Sequence, residues 1–236
     1  WLRSDVVWTF AIAIVFLGMS AAVFGHWLEK AGPRKAGVAA AIFWGGGLMI
    51  TSLGVSLHQL WLIWLGAGVI GGVGLGLGYI SPVSTLIKWF PDRRGLATGM
   101  AIMGFGGGAM IGMPLGDNLI SSYGIAQTFF IMGCIYLTSM TIGAFGYRVP
   151  AEGWKPEGWK PEVKKTNAMI SSNHVHVGIA HKTPQFWLLW GVLCLNVSAG
   201  IGVLSVAKPM FQEIAASSFD PLIIGAIATG FGALLS

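Results

Sequence analysis

Residues 6–25, 36–57, 60–87, 95–116, 118–147 and 183–207 each contain no Asp, Glu, Lys or Arg, and a seventh such stretch begins at Pro221 and runs to Ser236. The hydrocarbon core of a bilayer, about 30 Å thick, takes about 20 helical residues to cross. No water is available there, so a spanning backbone must satisfy its own hydrogen bonds as a helix or as a strand of a closed barrel. Barrel strands alternate apolar and polar residues over about ten positions. These stretches are longer and do not alternate. The expectation is an all-α membrane protein with about seven spans, of which 60–87 and 118–147 are long enough to tilt or to extend past the bilayer. Composition agrees: 10% of residues are charged, against about 25% in a soluble domain. The 36 glycines and 11 tryptophans also fit, since Gly is frequent in membrane helices and Trp gathers at membrane interfaces.

Lys and Arg fix the orientation of such a chain. The loop after the first span holds Lys30, Arg34 and Lys35, and that after the third holds Lys88, Arg93 and Arg94. The segment after the fifth adds Arg148, Lys155, Lys160, Lys164, Lys165 and Lys182. Only Arg3 and Lys208 lie on the other side, so twelve of the 14 Lys and Arg residues mark one face as cytoplasmic. Topology accounts for the net charge of +5, and no nucleic-acid partner is needed. The chain starts at Trp1 and stops inside an apolar run, so it is expected to be a piece of a longer protein in which the lack of a leader carries no information.

Residues 148–182 are the one long polar segment, with "EGWKP" at 152–156 repeated at 157–161. Its composition suits a linker between two helical bundles, although a docking site for a partner would look similar. His174, His176 and His181 match no standard zinc spacing, and the two cysteines, Cys134 and Cys194, lie deep in apolar runs. No metal site is expected.

"GAGVIG" at 66–71 matches a dinucleotide fingerprint, but that motif needs a strand before it and a helix opening after it. Here it lies inside a charge-free run. Gly68, Gly72 and Gly76 recur every four residues, as do Gly104, Gly108, Gly112 and Gly116. That spacing gives each span a smooth face on which a neighbour can pack closely. Pro82 and Pro114 each remove a backbone donor and are candidate kink positions. The complete spans carry no charge, so the intramembrane polar candidates are neutral: Tyr79, Ser81, Ser84, Gln127, Asn196 and Ser198. Tyr79, set among glycines, and Asn196, costly in lipid unless it faces protein, stand out.

Two loops carry the remaining information. "GHWLEKAGPRK" at 25–35 places an acid, Glu29, ahead of its bases. Topology requires the bases and not the acid, so Glu29 is expected to have a specific partner. In "WFPDRRGLATG" at 89–99, Asp92 is placed to cap a helix starting near Gly95. Arg93 and Arg94 oppose that helix's dipole, so they serve topology or a partner.

Gly25-x-x-x-Glu29-Lys30-x-Gly32-x-Arg34-Lys35 resembles the cytoplasmic loop signature of the major facilitator superfamily, with Glu for the usual Asp. "GLGYISPVSTLIKWFPDRRGLATGMAIMGFGGGAMIG", "HWLEKAGPRK", "GWKP" and "TPQFWLLWGVLCLNVSAGIGVLS" are similar to the oxalate/formate antiporter branch. The resemblance implies a twelve-helix bundle in two halves. Residues 1–147 would be most of the first half, lacking its first helix. Residues 148–182 would be the cytoplasmic inter-half linker, and 183–236 the start of the second half, with one complete and one truncated span.

The same resemblance implies a multi-pass protein of the cell (inner or plasma) membrane that carries small organic anions by exchange or by proton-coupled symport. No enzyme activity and no cofactor are implied. Gly25, Glu29, Gly32, Arg34 and Lys35 would belong to a cytoplasmic gate, with Asp92, Arg93 and Arg94 as a neighbouring latch. Tyr79, Phe105 and Asn196 would line the substrate cavity. Dicarboxylate carriers of the branch have an arginine where this chain has Ala233, which favours a smaller or singly charged anion. Two alternatives stand beside this reading: a non-transporting sensor or scaffold that kept the fold, or a carrier of an unrelated small solute.

Overall fold

In the computed structural model the described residues are 1, 3–151, 154, 156, 175 and 177–215. They are helical throughout, with no strand among them. The helices are α1 (Arg3–Ala31), α2 (Pro33–Ser56), α3 (Leu60–Trp89), α4 (Arg94–Tyr123), α5 (Ile125–Gly146), the short α6 (Val177–Ala180) and α7 (Pro184–Ala215). The chain divides into two compact units, Trp1–Glu157 and Gly158–Ser236. Helices α1–α5 belong to the first, and α6 and α7 to the second. The seventh charge-free stretch, with Ala233, lies outside the described residues, as do His174, His176 and the second copy of the "EGWKP" repeat.

Four of the helices are long and apolar enough to cross a membrane: Asp5–Ala31, Pro33–Ser56, Leu60–Trp89 and Ile125–Gly146. The expected spans at 95–116 and 183–207 are also helical, within α4 and α7. One boundary differs from the sequence reading. Asp117 was expected to separate two spans, yet α4 runs through it to Tyr123. The break falls at Gly124, whose φ of 79° is a left-handed conformation that glycine adopts without penalty. An exposed carboxylate does not end a helix; a residue that reverses the backbone does. Both Pro82 and Pro114 lie inside continuous helices.

Within the first unit α3 lies between α1 and α2, and α2 lies between α3 and α5. Glycine makes these approaches possible. A Cβ on Gly68 would sit 2.9 Å from Ile12, and one on Gly72 would sit 2.6 Å from the Ala13 carbonyl. On Gly76 it would overlap Ser20. The 68–72–76 row is thus the seat of α1. Toward α2, Gly66 and Gly47 meet backbone to backbone: a Cβ on either would lie 2.5–2.6 Å from the other's carbonyl oxygen. Residues Trp64–Ile70 of α3 form a π-helical stretch at this contact. Hydrogen bonds cross the same seams. The Ser20 hydroxyl donates to the Val73 carbonyl at 3.3 Å, and Ser52 donates to the Ala126 carbonyl at 2.6 Å.

The second glycine row behaves differently. Cβ atoms on Gly104, Gly108 and Gly116 would meet nothing within 4 Å, and only Gly112 has a neighbour, the Tyr136 hydroxyl at 2.8 Å. The expectation of a tightly packed partner therefore holds for α3, while the α4 row is open among the described residues.

Two adjacent glycines of α2 offer a test. A Cβ on Gly45 would lie 2.8 Å from Leu137 and 2.9 Å from the Gly133 carbonyl, whereas one on Gly46 would meet nothing within 4 Å. Gly45→Ala is expected to destabilise the bundle by about 1–3 kcal/mol. Gly46→Ala is expected to be neutral or slightly stabilising, because Ala is the better helix former. Thermal unfolding of the detergent-solubilised protein measures both.

Candidate functional site

Most of the charged residues of the first unit lie where α1, α3 and α5 end and α2 and α4 begin. The α1–α2 turn is made by Gly32, whose φ of 84° and ψ of 158° reverse the chain between Ala31 and Pro33. The Gly32 amide donates to the Leu28 carbonyl at 2.9 Å and closes α1. Pro33 then opens α2 at a position where its missing N–H costs nothing, and no side chain caps the helix.

Arg34 follows at once. Its Nε donates to the Tyr147 carbonyl at 2.6 Å, just past the end of α5. One residue on, the Arg148 carbonyl accepts from Trp89 Nε1, at the end of α3, at 2.7 Å. The Trp89 ring also packs edge-on against Trp154, with centroids 5.1 Å apart. Two side chains from two different turns thus hold successive carbonyls of one segment. Against α2, the Tyr147 ring closes over Gly37, where a Cβ would lie 3.0 Å away. Ala31–Lys35 and Tyr147–Val149 together line an open cavity of about 490 Å³.

The sequence-derived gate residues divide accordingly. Gly32, Arg34 and Lys35 come together at this cavity. Gly25 lies inside α1 with open space at its Cβ position. Glu29 is exposed in the last turn of α1 and makes no ion pair among the described residues, so the specific partner expected for it is not found there. In the second loop, Asp92 pairs with the adjacent Arg93 at 3.7 Å. The expected capping role is overturned. The residue at the N-cap of α4 is Arg93, and no side chain caps it. The Asp92 carboxylate is drawn to its neighbouring guanidinium, and α4 begins one residue earlier than expected, at Arg94. Arg94 is exposed, and its carbonyl accepts from Thr98 at 2.9 Å. No ion pair joins the two loops among the described residues.

Of the cavity candidates, Tyr79 lies on α3 and is 38% exposed. Phe105 lies in α4, with its side chain outside the described set, and Asn196 lies on α7, in the second unit. Tyr147 and Arg148 were not singled out from sequence as contact residues, and neither was Trp89. For Tyr147 and Trp89 a signal existed: aromatic residues at the ends of spans form interfacial belts. The carbonyls they expose or engage leave no trace in a sequence.

Residues 2–236 match the Major Facilitator Superfamily, and the chain belongs to that family. The family's members are transporters, not enzymes, and act within the membrane on small-molecule substrates. The chain is similar to the uncharacterized MFS-type transporter YhjX of Escherichia coli (strain K12), at 29% identity over 90% of this chain and 50% of that protein. It is similar to the oxalate:formate antiporter of Oxalobacter formigenes, at 29% identity over 78% of this chain and 40% of that protein. Monocarboxylate transporter 2 of Meriones unguiculatus is 28% identical over 73% of this chain and 33% of its own length. The chain spans half or less of the length of these relatives.

The paired carbonyl contacts predict a local effect. Arg34→Gln or Trp89→Phe removes one hydrogen bond, worth about 0.5–1.5 kcal/mol. Either change is expected to speed tryptic cleavage after Arg148 by up to about tenfold, and the two together by more than either alone. Timed proteolysis of the folded protein provides the measurement.

Proposed function

We propose that the chain is part of a secondary transporter for small carboxylates, working by alternating access between two helical halves. The carrying observation is the likeness, over most of the chain, to proteins named as an oxalate:formate antiporter and a monocarboxylate transporter. Orientation follows from charge. With twelve of 14 Lys and Arg residues on one side, loops 26–35, 88–94 and 148–182 face the cytoplasm, in the cell membrane. The halves are residues 1–147 and the part beginning at 183, joined by 148–182.

In this reading Tyr79, Phe105 and Asn196 line the substrate path, and Gly25, Glu29, Gly32, Arg34, Lys35, Asp92, Arg93 and Arg94 form the cytoplasmic gate. The exposed carboxylate of Glu29 supports a role as a gate acid that pairs in one conformation only. The stretches 6–25, 36–57, 60–87, 95–116 and 118–147 of the first half carry no charge, and by the resemblance Ala233 stands where dicarboxylate carriers have an arginine. A singly charged substrate such as formate, lactate or pyruvate therefore suits the chain better than oxalate. Exchange and proton-coupled symport both fit.

Full-length protein in liposomes is expected to take up or exchange a small monocarboxylate. Absence of uptake and exchange with formate, oxalate, lactate and pyruvate would instead favour a sensor or a carrier of another solute. Glu29→Gln is expected to shift the population toward inward-open. Cysteines engineered on the cytoplasmic side should then label several-fold faster than in the parent, and equal labelling would remove Glu29 from the gate.

A further inference from the structure

We infer that the cavity between the α1–α2 turn and the segment after α5 is a binding site for a phosphate-bearing anion at the membrane surface. This site shares Gly32, Arg34 and Lys35 with the proposed gate but none of the residues proposed to line the substrate path, and the inference does not depend on the choice of substrate. Among the described residues its lining contains three cations, Arg34, Lys35 and Arg148, and no acidic residue. None of the three is in an ion pair among the described residues. Arg34 is already oriented, because its Nε is fixed on the Tyr147 carbonyl. Its two terminal nitrogens remain for a ligand, and a held guanidinium gives up little freedom when it binds phosphate oxygens in a forked geometry.

Helix dipoles do not cancel this charge. The C-termini of α1 and α5 each bring roughly half a negative charge, and the uncapped N-terminus of α2 brings roughly half a positive one. Three full cations outweigh them. The volume, about 490 Å³, is within the range of small-ligand sites, roughly 300–1,000 Å³. The other described lining residues are Ala31, Gly32, Pro33, Tyr147 and Val149, so the cations share the cavity with apolar surface. It lies where three helices long and apolar enough to cross a membrane start or stop, and in a bilayer of ordinary thickness that places it near the lipid headgroups. Glu29 and Lys30 lie in the preceding turn and are not part of the lining.

The full-length protein, reconstituted in nanodiscs of phosphatidylcholine with or without phosphatidylglycerol, provides the test. Native mass spectrometry counts retained phosphatidylglycerol. Inorganic phosphate, added to phosphatidylcholine nanodiscs, is the second probe, read by its shift of the thermal unfolding temperature. Lys35→Gln with Arg148→Gln is expected to weaken the retained anion by about tenfold or more. The charge-conserving pair Lys35→Arg with Arg148→Lys should keep it, which separates loss of charge from loss of fold. Lys30→Gln should leave it unchanged.

Retention of phosphatidylglycerol, without a phosphate response, that depends on Lys35 and Arg148 assigns the site to a lipid headgroup. A response to inorganic phosphate that depends on Lys35 and Arg148 assigns it to a soluble phosphate. Either result supports the site. If neither probe binds, if binding survives the double change, or if Lys30→Gln weakens binding as much as the double change, the proposal fails, because the attraction is then absent, elsewhere or merely diffuse surface charge.

Discussion

The backbone-to-backbone contact of α3 with its neighbours is the constraint on which the first unit depends. Between helices in lipid there is no hydrophobic drive, since lipid tails are as apolar as leucine. Association must come from close packing and from the few polar groups that can bond across a seam. Glycine supplies the first at Gly47 and Gly66 toward α2 and at Gly68, Gly72 and Gly76 toward α1. Ser20 and Ser52 supply the second, each donating to a carbonyl on the facing helix. The buried Thr51 and Thr85 instead return their hydroxyls to carbonyls four residues back, so they meet their polar obligations without a partner helix.

Much of this was readable in advance, for a physical reason. Lipid imposes length, apolarity and helicity together, and each leaves a mark in the order of residues. The row at Gly68, Gly72 and Gly76 announced a close neighbour, and α1 is there. The identical spacing at Gly104–Gly116 announced the same and, among the described residues, has open space at three of its four positions. Spacing reports that a face is smooth; it does not report what lies against it. Helix ends were less legible. The charge-free stretches 95–116 and 118–147 part at Asp117, while the turn is made by Gly124, and Asp92 had the chemistry of a cap but paired with its neighbour.

The candidate site was half legible. The bases of the α1–α2 turn were conspicuous because charge is rare in this chain. Their structural counterparts were not, because Tyr147 and Arg148 contribute backbone carbonyls to Arg34 and Trp89. Any residue offers a carbonyl, so identity carries no information about it. The same contacts give the turn two duties. It fixes where the chain leaves the first bundle, and it gathers three like charges around one cavity.

The sandwiching of α3 has a mechanical consequence. A helix pressed on opposite sides by other backbones cannot roll about its own axis without lifting one of them away. Motion of α1 would then be handed to α2, and on to α5, with little loss, so these four helices behave as a stiff lever rather than as independent rods. Compliance has to reside in what is loosely held: the left-handed turns at Gly32 and Gly124, and α4, whose glycine row touches almost nothing among the described residues.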